Sequence, residues 1–144
     1  MHRSRSRLLR WNVCLAAATL AVATACPGEH DRFKAPADVA RALREAGVAC
    51  AFTPEEDLRG PVMSAPPGES FGQCNAGRNT IAIYVFQKED AYARLQEVDA
   101  LSTSDTPRIF WVYGDNWFTA TSNDRLRDRV REALGGEATD NSRI

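Results

Sequence analysis

Apolar positions recur along this chain at two spacings. Behind Pro36, a residue suited to a first helical turn, Val39, Ala40, Leu43 and Ala46 follow at helical spacing, and Gly47 is placed to close the helix. The segment 53–70, TPEEDLRGPVMSAPPGES, holds four prolines, three glutamates and two glycines, and predicts a long surface loop. SFGQCNA and NTIAIYVF then flank Gly77-Arg78, the signature of a hairpin. A helix is expected from about Lys88 to Val98, with Glu89 and Asp90 suited to its N-terminal dipole and Tyr92, Leu95 and Val98 inward. A second hairpin follows, RIFWVY and WFTATS around Gly114-Asp115-Asn116. The last helix spans Asp124 to Leu134, with Asn123 as its N-cap, Gly135-Gly136 behind it, and Leu126, Val130, Ala133 and Leu134 apolar.

The predicted order is α-ββα-ββα. It implies an α+β domain over residues 36–136: a four-stranded antiparallel sheet with three helices on one face, and a disordered tail at 137–144. Strand alternation places Ile109, Trp111, Tyr113, Phe118 and Ala120 on one face and Phe110, Val112, Trp117 and Thr119 on the other. In the first hairpin Ile81, Ile83 and Val85 oppose Tyr84 and Phe86. Both faces are therefore apolar, although an antiparallel sheet covered on one side should have one polar face. One face must be core. The other is covered by the loop 53–70 or forms an exposed aromatic contact surface, for which Tyr84, Phe86, Phe110, Val112 and Trp117 are the candidates.

Charge divides the chain at its N-terminus. Residues 1–10 carry four arginines and no acid, and residues 11–28 carry no charge. This basic-then-apolar sequence, ending in Ala23-Thr24-Ala25, predicts a signal peptide over residues 1–25. Beyond it, 14 basic residues face 19 acidic ones, a net charge of −5, which argues against nucleic-acid binding. Cys14 falls within the signal, so Cys26, Cys50 and Cys74 remain. Three thiols in an oxidising compartment leave one over. If Cys26 carries a lipid, Cys50 and Cys74 pair, and residues 26–35 become anchor and tether.

Val22-Ala23-Thr24-Ala25-Cys26 resembles a bacterial lipobox, with Ala23 where leucine is usual. Ordinary signal-peptidase cleavage after Ala25 fits as well and would release a soluble secreted protein. With AGVAC, Cys74, IAIYVF and VYGDNWF, the chain resembles the small lipoproteins of high-GC Gram-positive bacteria. That resemblance implies a lipid-anchored protein on the extracytoplasmic face of the cell membrane and contributes no catalytic signature.

Chemistry is sparse. After processing, His30 is the one histidine left, which disfavours Ser-His-Asp, Cys-His and His/Cys zinc arrangements. No phosphate loop or EF-hand spacing is present. Glu55-Glu56-Asp57 and Glu89-Asp90 are adjacent acids, unlike the facing pair of a glycosidase. Arg125, Arg127, Arg129 and Arg131 alternate with Asp124, Asp128 and Glu132 as a salt-bridged solvent face. The expectation is a binding or interaction module of the cell envelope without a cofactor or metal. Its partner would be an envelope protein or a small apolar ligand. A small secreted enzyme working through Glu55–Asp57 is the alternative.

Overall fold

A computed structural model describes residues 32–58, 69–88, 90–100, 103 and 105–142. The signal peptide, Cys26, His30, Glu89 and the centre of the loop 53–70 lie outside the described residues. The chain forms α1 (Pro36–Glu45), β1 (Ala51–Pro54), a 3-10 turn (Glu55–Asp57), β2 (Glu69–Ala76), β3 (Asn79–Phe86), α2 (Ala91–Ala100), β4 (Phe110–Tyr113), β5 (Trp117–Thr121), α3 (Asp124–Leu134) and β6 (Glu137–Asp140).

The sheet has six strands, not four, in the order β1-β2-β3-β5-β4-β6, and every pairing is antiparallel. The two additional strands are its edges. β1 reads AFTP and β6 reads EATD, four residues each and without apolar alternation. An edge strand pairs on one side and is commonly short, polar or proline-marked. Glu137–Asp140, expected within a disordered tail, instead pair with Tyr113–Phe110 of β4.

Local signals place the remaining elements. Pro36 begins α1. The Asn123 carboxamide oxygen accepts the Leu126 N–H at 2.9 Å and caps α3, and Gly135 closes that helix at φ 73°. Gly77 takes the positive φ of the β2–β3 turn.

The helices do not share one face. Val39 and Leu43 of α1 and Leu126, Val130 and Leu134 of α3 pack with Ile81, Ile83, Val85, Val112 and Trp117. Ala91 and Leu95 of α2 pack with Phe86, Trp111 and Phe118, which belong to the opposite strand parity. This corrects the one-sided arrangement and explains why both faces of the strands are apolar. β3 and β5 run in opposite directions, and the connections through α2 and α3 each step two places the same way across the sheet. Two such crossovers of one hand must carry their helices over opposite faces, and crossovers share a hand as a rule.

The domain also begins earlier than Pro36. Phe33, expected in the tether, lies edge-on to Trp117 at 5.7 Å between ring centroids. Its N–H donates to the Asn116 side-chain oxygen at 2.9 Å, and the Asn116 amide donates to its carbonyl at 2.8 Å. The same amide reaches the Phe86 carbonyl, so a buried asparagine in the β4–β5 turn joins the entering chain to the end of β3.

Asp140 gives β6 a testable signature. The Ser142 hydroxyl and Arg108, at 2.8 Å, donate to its buried carboxylate and hold it well below the ordinary aspartate range, against the opposing effect of burial. Its folded-state pKa is depressed, so its stabilising contribution is complete above the unfolded aspartate value of about 3.9 and is lost as pH falls toward the lower folded value. Asp140→Asn is therefore expected to lower stability at neutral pH and to flatten the acid limb. Urea unfolding at neutral and acid pH checks this; an unchanged acid limb would refute it.

Candidate functional site

The five aromatic and apolar residues expected as a contact surface are not brought together. In the register of the sheet Val85 faces Trp117, while Tyr84 faces Phe118. Val112 and Trp117 therefore lie under α1 and α3, and Tyr84 and Phe86 lie on the α2 side. Trp117 is 0% exposed, and Phe86 and Val112 are 1% exposed. Phe110 is buried at the rim, with the guanidinium groups of Arg108 and Arg127 at 5.2 and 5.0 Å from its ring centre. Only Tyr84 is half-buried. Its ring lies between Phe71 at 4.8 Å and Phe118 at 4.6 Å, and burial, then Glu69 and Glu55, push its phenol up. Core burial corrects the proposed surface: helices cover both sides of the sheet.

The other two sequence-derived residues do meet. Cys50 and Cys74 form a disulfide that ties the start of β1 to β2. Their closed loop contains Glu55–Asp57, which occupy consecutive positions of a single 3-10 turn. Successive side chains of such a turn diverge by about 120°, so these acids do not face one another across a cleft. Among the described residues, no three His, Cys, Asp or Glu side chains are grouped to hold a metal ion. A groove of about 440 Å³ lies where the chain enters, lined by Arg32, Phe33, Lys34, Asp38, Arg41, Ala42 and Glu45. Its charges are mixed, and Arg41 pairs with Asp38 at 2.6 Å.

The accessible aromatic surface is elsewhere, at the start of α2. Ala91 and Leu95 form the buried stripe of this helix, which turns Tyr92 outward; among the described residues it is the exposed large apolar side chain, at 41%. The sequence pattern places Tyr92 inward with Leu95 and Val98, because three apolar residues at helical spacing do not reveal which of them marks the centre of the stripe. Its ring stacks on Tyr113 at 5.1 Å with the planes 31° apart. The Tyr113 hydroxyl donates to Glu137 of β6 at 2.8 Å. Burial, then that bond, then the charges of Glu137 and Asp90 hold the Tyr113 phenol well above the ordinary tyrosine range. Asp90 caps α2, accepting the N–H groups of Tyr92 at 2.8 Å and Ala93 at 3.1 Å. The Ala91 N–H donates to the Asp115 carbonyl at 3.1 Å, which brings the β4–β5 turn against the same helix end.

No family model matches this chain, and no curated protein or solved structure is significantly similar to it. Among the described residues, no helix is long and apolar enough to cross a membrane.

Proposed function

We propose that this protein is an extracytoplasmic binding module held at the cell membrane by a lipid on Cys26. The observation that carries this reading is the Cys50–Cys74 bond. It uses both domain cysteines and leaves Cys26 as the single thiol beyond the signal-like segment. An unpaired cysteine is a liability in an oxidising compartment, and acylation removes it. The basic n-region, the apolar run and the lipobox-like end support the same address. The contact surface of this module is the Tyr92–Tyr113 pair, which replaces the buried strand residues in that role.

Mass spectrometry of the mature N-terminus tests the anchor. A diacylglyceryl mass on Cys26, with release of the Cys26→Ser variant from the membrane fraction, is the expected result. An unmodified cysteine after cleavage at Ala25, the outcome that Ala23 favours, would make the protein a soluble secreted one.

A further inference from the structure

The Tyr92–Tyr113 pair has an electrostatic character that specifies what it binds. Three exposed acidic residues border it: Asp90 at the start of α2, Asp115 in the β4–β5 turn and Glu137 on β6. None of them takes part in an ion pair among the described residues, whereas Asp38, Glu69, Glu97, Asp128 and Asp140 each pair with arginine. The nearest cations along the chain are Lys88, two residues before Asp90, and Arg94, two residues after Tyr92, which pairs with Glu69 and Glu97. The patch thus combines aromatic faces, whose quadrupoles are negative, with carboxylates.

We propose that this patch docks a lysine- or arginine-bearing segment of a partner protein. The cationic head lies over the outward face of the Tyr92 ring, the one not stacked on Tyr113, and the alkyl stem runs along the exposed side of the pair. This rests on reading the protein as a binding module and names the chemistry of its partner.

Three features favour that occupant. A cation over a tyrosine face is attracted by the ring, and long basic side chains cover apolar surface with their stems. The carboxylates are spread around the rings instead of being gathered into a metal-ligand set, so an extended organic cation fits where a bare ion does not. The chain beyond the signal carries a net charge of −5, which steers basic partners toward it and disfavours an anionic lipid surface.

Titration of the purified mature protein with an oligolysine peptide, with an oligoglutamate control, tests the proposal. Saturable oligolysine binding that weakens as salt is raised is expected. Tyr92→Ala should weaken it by about two- to fivefold, the range of an exposed cation–π contact, and Tyr92→Phe should retain it. Glu137→Gln should weaken it and reduce its salt dependence. Tyr92 and Glu137 are both exposed, so the variants should stay folded, with at most a small fall in the thermal midpoint from the contacts they make with Tyr113. Oligolysine binding that Tyr92→Ala leaves intact would overturn the proposal. So would a neutral oligosaccharide that saturates Tyr92 while oligolysine does not. A peptide that fails to bind a protein acylated at Cys26 removes the partner chemistry and leaves the anchor standing; peptide binding by a protein unmodified at Cys26 does the reverse.

Discussion

Trp117→Ala is expected to destabilise the domain by about 3–5 kcal/mol, the range for deleting a buried aromatic side chain. The indole is fully buried beneath α1 and α3 and meets Phe33 edge-on. Gly114 makes room for it: a Cβ there would collide with the indole nitrogen, whereas a Cβ on Gly136, at φ 83°, would collide with the Tyr113 carbonyl and not with the ring. Deleting so large a buried side chain adds a cavity cost to the lost transfer energy. A domain of this size has about 5–15 kcal/mol in total, so the variant should unfold at a far lower urea concentration. Trp117→Phe should lose less. If Trp117→Ala unfolds at the wild-type midpoint and instead loses a binding partner, Trp117 is a contact residue and the two-sided core is wrong.

The second large effect concerns the disulfide. Cys50 and Cys74 are separated by 24 positions, and a crosslink closing a loop of that length contributes about 3–4 kcal/mol by restricting the unfolded chain. Cys50→Ser/Cys74→Ser is expected to lose that amount in urea unfolding. Cys74 is 0% exposed and Cys50 6%, so a reductant should reach the bond mainly when the domain opens. Mild reduction under native conditions should therefore be slow and should accelerate with urea. A double variant within about 1 kcal/mol of the wild type would overturn this and show that the unfolded chain is already restricted without the crosslink.

These effects belong to residues whose roles were legible to different degrees. The Asn123 cap, the glycine that ends α3 and the Gly77-Arg78 turn act over a few residues, and each lies where its own chemistry requires. The pairing of Cys50 with Cys74 was legible only as a conditional, with Cys14 removed and Cys26 taken by a lipid; the fold is what joins the start of β1 to β2 there. The edge strands were not legible. AFTP and EATD carry no apolar alternation, because an edge with one paired neighbour does not need it.

The contact surface was misplaced for a related reason. Alternation assigned Phe110, Val112 and Trp117 to one side of their hairpin and Tyr84 and Phe86 to one side of theirs. It could not say which side of one hairpin continues which side of the other. Register decides that, and Val85 facing Trp117 separates the two groups. Tyr92 was hidden in the opposite way. Its neighbours Ala91 and Leu95 turn toward Phe86, Trp111 and Phe118 only because α2 crosses that face.

By itself, the sequence determined the three helices, the four central strands, their caps and turns, and the acidic balance beyond residue 25. Each depends on residues near one another in the chain or on a count. Tertiary structure decided the number of strands, the side on which each helix lies and which aromatic rings reach solvent. Those depend on strand order and crossover path, which join residues far apart in sequence and leave no mark in the local pattern.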